Sequence, residues 1–305
     1  MKISTVIVIA ALFALVFGAG EPAKYLTIGI GAEHIGRGCA GTADRNSVFA
    51  PFYNPALVSA RGKPSIGFGN LFLGLGRRMY YAAFATQIRD EAGVGVVWVH
   101  SSVADVERRD IDGNITGEVN NSNDAVYFSF AKEVYGGLHA GLGVQYVQSN
   151  IENLNAYSAG LAGGIFYELK KYGVIVGASA TNISLELKWN SSDYYDDGRT
   201  SRDKLPLFLR FGGEKRGTVK SVNYKFDADI FLIGDRELSY SVGAECSPHE
   251  SFVVTFGVRD GRFSAGFGLN IRLGFFKRIS FGYAISAQPY GVPPMHVVEI
   301  RFDLK

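Results

Sequence analysis

The chain's closing segment alternates without a break. His296, Val298, Ile300, Phe302 and Leu304 share one face, and Val297, Glu299, Arg301 and Asp303 share the other. A period of two with one apolar and one charged face is a β-strand set between two different media. Val222, Tyr224, Phe226, Ala228 and Ile230 alternate in the same way with Asn223, Lys225, Asp227 and Asp229. From Pro64 onward this reading gives 14 candidate strands, near 64–75, 78–89, 92–105, 124–134, 137–149, 156–169, 172–188, 204–213, 218–233, 236–247, 251–259, 262–273, 278–288 and 294–304. The chain is therefore all-β over most of its length. A soluble sandwich turns the apolar face into its core, whereas a membrane barrel turns it outward to lipid and the polar face to the lumen.

Connection lengths favour the barrel. With the first strand rising from the periplasm, the periplasmic connections are Asp90–Ala92, Tyr135–Gly137, Lys170–Lys171, Glu214–Gly217 and Pro248–Glu250, all short. The long polar stretches 106–123 and 190–203 and the medium ones 150–155 and 289–293 all fall at the other end. Short periplasmic turns and longer outer loops are the habit of outer-membrane barrels. An even strand number returns both ends to one side, and closure removes the unpaired edges that lipid cannot solvate. Tyr80, Tyr81, Trp98, Tyr127, Tyr135, Tyr172, Trp189 and Tyr240 lie near strand ends, where a membrane–water boundary places amphipathic rings. The expectation is a 14-stranded antiparallel transmembrane β-barrel.

Composition agrees: 38 glycines and 38 Tyr plus Phe residues, against nine prolines, suit long sheets with close backbone approach. A net charge of +2 supplies no field for nucleic acid. Lys2, the apolar run Ile3–Phe17 and the small residues Gly18–Gly20 read as a secretory signal peptide over 1–20, so the chain is expected to be exported. Cys39 and Cys246 are too few for a disulfide framework, and free thiols are expected. No Gly-x-Ser-x-Gly, His-Glu-x-x-His or P-loop is present, and His34, His100, His139, His249 and His296 are scattered, so no enzyme, cofactor or metal site is read. Asp110–Asn114 matches a calcium loop poorly, because Ile115 stands where the loop needs glycine, and a hairpin turn through Asp112–Gly113 is the better reading. Asp193, Asp196 and Asp197 are a second weak candidate for a divalent ion.

Ahead of the strands, Leu26–Ala32, Gly36–Ala40 and Tyr53–Leu57 resemble the opening of the PorV/PorQ family and, more distantly, of the FadL-type fatty-acid transporters. Val176–Ile183, Leu205–Gly212 and Phe281–Ala284 extend the likeness. Cys39 replaces a family glycine, Leu57 replaces the glycine after Asn-Pro-Ala, and the chain ends in Leu304–Lys305 rather than an aromatic. The resemblance implies a small N-terminal hatch over 21–62, inside or under a barrel of 63–305. Its motif is Asn54, Pro55 and Ala56, and Gly29, Gly31, Gly36 and Gly38 are expected to let backbone pass close to the wall. Pro55 is expected to start a helical turn through Ala60.

Two functions follow from the resemblance. A PorV-type barrel in the bacterial outer membrane docks secretion-system proteins or exported cargo on its outer loops. A FadL-like channel takes up hydrophobic small molecules, with hatch movement opening a lateral path; an apolar groove between loops and a gap in the wall beside the hatch favour it, whereas a plugged lumen and a flat loop surface favour docking. A soluble periplasmic β-protein is the third alternative.

Overall fold

The computed structural model describes residues 22–60, 62–89, 91–192, 198–234, 237–274 and 276–304. The signal-peptide reading and the triad Asp193, Asp196 and Asp197 lie outside the described residues. The strands are β1 (Ser65–Gly74), β2 (Arg77–Arg89), β3 (Ala92–Arg109), β4 (Ile115–Tyr135), β5 (Leu138–Ile151), β6 (Leu154–Leu169), β7 (Val174–Ile183), β8 (Glu186–Asn190), β9 (Thr200–Lys204), β10 (Phe208–Val219), β11 (Val222–Ile233), β12 (Glu237–His249), β13 (Phe252–Arg259), β14 (Arg262–Ile271), β15 (Arg278–Ser286) and β16 (Met295–Asp303). Fourteen of them form a closed antiparallel barrel, in which β7 pairs directly with β10 while β8 and β9 form a separate hairpin. The ring closes between β1 and β16, from Ser65 opposite Asp303 to Phe72 opposite His296.

The alternation has the outward-apolar sense. Phe226 is 54% exposed, Ile230 52% and Val298 52%, while Asp227, Asp229 and Glu299 are buried within the ring. Large side chains on the outer face and charges inside are the inverse of a sandwich.

Four expectations are corrected. The candidate strand 172–188 breaks after Ile183, where Asn182 and Ser184 take left-handed backbone (φ 61° each) and the chain leaves the wall as β8. Of the stretch 190–203, Asn190 belongs to β8 and residues 200–203 to β9, which pair as a hairpin. The stretch 106–123 is mostly strand: β3 and β4 stay paired to Arg109 opposite Ile115. Its turn is held by the Asp110 carboxylate, which accepts from the amides of Asp112 (3.0 Å) and Asn114 (2.9 Å). Glu214–Gly217 is not a turn but part of β10; the reversal falls at Lys220–Ser221, both left-handed. Finally, Tyr81 and Tyr127 are buried in the lumen, in step with Met79, Ala83 and Ala85 in the first case. Trp189 rides on the β8–β9 hairpin, bonded to Asp203 at 2.8 Å. Tyr80, Trp98, Tyr135, Tyr172 and Tyr240 do face outward.

The ring encloses the N-terminal segment. A 3₁₀ turn (Lys24–Thr27) leads to α1 (Ala32–Gly36), α2 (Ala50–Tyr53) and a second 3₁₀ turn (Pro55–Ala60). Pro51 suits the first turn of α2, where its missing N–H has no intrahelical partner anyway. Ile30, Ile35, Phe49 and Tyr53 pack in one apolar cluster with Leu71, Tyr81, Val97, Val99 and Val297 of the wall.

Candidate functional site

The Asn-Pro-Ala motif meets the wall at β5, β6 and β7. Asn54 Nδ2 donates to the carbonyls of Thr42 (3.0 Å) and Ile165 (3.1 Å), and its Oδ1 accepts from the Ala56 amide (3.0 Å). The side chain therefore ties two parts of the segment to β6 and caps the turn that Pro55 begins. Wall glycines make room: a Cβ at Gly164 would collide with Asn54 Oδ1, and one at Gly141 with the backbone of Pro55 and Ala56. Below the motif, Ser59 Oγ lies 2.8 Å from His139 Nδ1, and the imidazole stacks on Phe166 at 4.2 Å.

Of the four segment glycines, Gly36 and Gly38 approach the wall. A Cβ at Gly36 would strike Thr255, and one at Gly38, where φ is +71°, the backbone of Val258. Gly29 and Gly31 do not. Their added Cβ atoms would meet Cys39 and Tyr53, and His34 and Phe49, so they serve packing within the segment. Cys39 and Cys246 are both free thiols.

Charge holds the opposite side. Arg37, fully buried, pairs with Asp44 at 2.6 Å, with Asp227 of β11 and with Glu245 of β12 at 3.5 Å. Asp44 also meets Lys225 (3.1 Å) and Arg216 (3.2 Å), with His34 Nε2 at 3.3 Å. Glu33 pairs with Arg301 of β16, and the Ala32 amide donates to Glu299 at 2.7 Å. Asp229 accepts from both amides of Gly41 and Thr42 and from the Thr42 hydroxyl. Burial pushes the Asp44 carboxyl up, but Lys225 and Arg37 outweigh it and hold the group well below the usual carboxylate range. Burial pushes the His34 imidazole down. Arg210 of β10 is different. Its guanidinium lies over the rings of Phe208 (4.0 Å), Tyr53 (5.0 Å), Phe231 (5.1 Å) and Phe52 (5.8 Å), and its Nε has no partner. None of these residues was singled out as a site in the sequence. The visible signal was the charged lumen face of β11 and β16, which reads equally well as a water-facing lining.

Above the segment, at the end carrying the long connections, lies a cavity of about 730 Å³. Its floor is the segment itself, at Tyr25, Ile28, Gly38 and Cys39; its sides include Leu73, Val103, Leu187, Trp189 and Met295, with Ser101, Asn121, Asn123 and Ser149 as a polar band. Arg259 reaches from the wall to the floor, donating to the Thr27 carbonyl at 2.7 Å. A second cavity, of about 290 Å³ and lined by charged and amide side chains, opens at the short-turn end beside Glu33, Asp44 and Lys225. The third is a groove of about 700 Å³ on the outer face of the wall, lined by Phe226, Val242, Phe256, Phe263, Ile285 and Pro294 over the small residues Gly243, Ala244, Gly257 and Ala265. Ala287 lines both the groove and the upper cavity. Ser264, also in the groove, accepts from the Gly38 amide of the cavity floor at 3.1 Å. Among the described residues no group of His, Cys, Asp and Glu could hold a metal ion.

No protein-family model matches the chain, and no curated protein is similar to it. Solved structures are. The Ralstonia pickettii toluene transporter TbuX superposes with a TM-score of 0.63 at 12% identity, over 91% of this chain and 99% of that one. This barrel has the FadL-like fold. The monoaromatic hydrocarbon channel CymD matches at 0.61 and 12% identity, over 91% and 98% of the two chains. A Pseudomonas aeruginosa FadL homologue matches at 0.58 and 11%, over 90% and 98%. Each match spans nearly all of the other chain and about nine-tenths of this one.

Proposed function

We propose that this protein is a bacterial outer-membrane channel for hydrophobic small molecules, with residues 21–62 as a plug and 63–305 as the barrel. Molecules enter the upper cavity from outside and leave sideways through the wall into the bilayer. The outward apolar face supports the membrane setting, since a closed ring with Phe and Ile outside and charges inside suits hydrocarbon around it. TbuX is a toluene transporter and CymD a monoaromatic hydrocarbon channel, and the mainly apolar cavity suits the same class here.

The observation that carries the reading is Ala287, which lines the cavity on one side and the outer groove on the other. The two spaces therefore share one residue of their boundary. The plug below is tied to the wall all round, which favours a sideways route over an axial one. This route lies beside Gly36–Gly38 and β12–β15, not beside Asn54–Ala56.

The test is uptake of a fluorescent naphthylamine by cells bearing wild-type protein or Ala287→Trp. The bulky ring is expected to cut uptake several-fold while heat-modifiable gel migration stays normal. Unchanged uptake would remove the sideways route.

A PorV/PorQ-type docking role is the second reading. The plugged lumen favours it, whereas the open cavity between the outer connections does not fit the flat surface that docking would use. Co-purification of exported proteins that survives deletion of the β8–β9 hairpin would count for docking.

A further inference from the structure

Three neighbouring strands carry one polar row across the upper cavity. Ser101 of β3 stands opposite Asn123 of β4, and Asn123 stands opposite Ser149 of β5. Asn121, on the same face of β4 and nearer the outer end, lines the cavity with them. The row directly beneath is apolar. Val99, Ala125 and Val147 are cross-strand neighbours on the same three strands, and all are buried. The inner face thus changes from apolar to amide and hydroxyl within one repeat of the strand, which sets a polar wall above a greasy floor.

Part of this row satisfies itself. The Ser149 hydroxyl donates to Asn123 Oδ1 at 2.5 Å, and Asn123 Nδ2 donates to Asn121 Oδ1 at 2.9 Å. This leaves the Asn121 Nδ2 donors without a partner among the described residues. The Ser101 hydroxyl has none either, although Ser101 is only 8% exposed. On the floor, Tyr25 is 9% exposed and its hydroxyl also lacks a hydrogen-bond partner. The cavity's arginines are engaged elsewhere. Arg77 turns from the row to the Leu73 and Gly74 carbonyls and to Gln288. Arg259 and Arg262 stand across the ring on β13 and β14, bonded to the Thr27 carbonyl and to Asp260. Lys24 is exposed to solvent. The row itself presents neutral groups only.

We infer that the upper cavity selects uncharged ring compounds bearing one hydroxyl or carbonyl oxygen, over bare hydrocarbons and over carboxylates of the same shape. This rests on the channel reading above and names the class that the channel prefers. The ring lies on the apolar floor, and the oxygen is held by Asn121 and Ser101. A ligand hydroxyl accepts from the Asn121 amide and donates to the Ser101 oxygen. A hydrocarbon displaces water from both groups and gives them nothing in return. A carboxylate can accept the same bonds. It must first leave water for a mainly apolar space in which Arg77, the nearest cation along the ladder, is already bonded to carbonyls.

The experiment compares naphthalene, naphthol and naphthoate as competitors of a fluorescent phenylnaphthylamine bound to the purified full-length protein in detergent at neutral pH. Variants are read as ratios to wild type at equal free competitor, so partition into detergent cancels. Ser101→Ala with Asn121→Leu is expected to weaken naphthol about tenfold and naphthalene less than about twofold. If the double variant does not assemble, Ser101→Ala alone is expected to weaken naphthol about threefold. On the wild type, naphthol is expected to compete at least about tenfold better than naphthoate. Equal losses for naphthol and naphthalene would make the row an element of shape only. Unchanged naphthol binding would make it a water-facing lining, and tighter naphthoate would assign the cavity to anions. Each of these overturns the inference, and each leaves the channel reading standing as long as naphthalene displaces the reporter. If none of the three displaces it, the cavity is not a binding site and both readings fall.

Discussion

Asn54 and Ile165, 111 positions apart, are joined by a hydrogen bond from the Asn54 amide to the Ile165 carbonyl at 3.1 Å. The same amide holds the Thr42 carbonyl, so one side chain fixes the plug to β6 and fixes the plug's own fold. Asn54→Ala leaves both acceptors in a site with no exposed surface, at a cost of about 1–3 kcal/mol to seating. Combined with Pro55→Ala, it is expected to leave heat-modifiable migration intact, to raise exchange in 54–60, and to change permeability. Loss of heat-modifiable migration would mean that the motif supports barrel assembly and is not confined to gating.

Much of the wall was legible. Phe226, Ile230 and Val298 declare their face because strand period and medium coincide, and short turns such as Gly136–Gly137 end strands by left-handed backbone that glycine favours. The plug's contacts were not legible. Arg37 and Asp227 are 190 residues apart, and nothing local distinguishes a lumen carboxylate that meets water from one that meets a plug arginine. Tyr81 and Tyr127 depart from the boundary expectation because strand parity, not nearness to a strand end, decides which way a side chain faces. Adjacent Tyr80 and Tyr81 cannot both face lipid, and Tyr81 instead donates to Glu299 at 2.9 Å. The break after Ile183 was hidden because β8 keeps the alternation of β7 after leaving the wall.

The membrane setting predicts opposite responses to charge on adjacent residues. Ile230 faces outward and Asp229 inward on β11. A lysine at Ile230 puts an ammonium in the hydrocarbon zone and is expected to lower the stability of the inserted barrel by about 2–4 kcal/mol if the site lies near the midplane. Urea titration of the protein refolded into lipid vesicles measures it. A change within about 0.5 kcal/mol would place that face in water.

Close approach at Gly257 allows the plug to be displaced without touching its charges. A Cβ there would run into the backbone of Arg37 and Gly38. Gly257→Leu is expected to leave β12–β14 paired, since strand propensity improves, yet to keep α1 from seating. Single-channel recordings should then show larger or more frequent openings than wild type. Unchanged conductance with protected α1 amides would mean that the wall yields instead of the plug.

Arg210 sets two physical terms against each other. Four aromatic rings surround its guanidinium, each contact worth about 0.5–2 kcal/mol and together less than their sum. Against them stands the cost of a buried cation whose Nε has no partner, several kcal/mol when no carboxylate compensates it. Arg210→Met keeps the unbranched bulk and the contact with the rings while removing the charge. It is expected to be neutral or to stabilise the protein by about 1–2 kcal/mol in urea unfolding. Arg210→Ala also removes the volume and is expected to destabilise by about 2–4 kcal/mol through the cavity left between Phe52, Tyr53, Phe208 and Phe231. If Arg210→Met proves as damaging as Arg210→Ala, the charge itself holds Phe52 and Tyr53 to β10, and the ring contacts outweigh desolvation at this site.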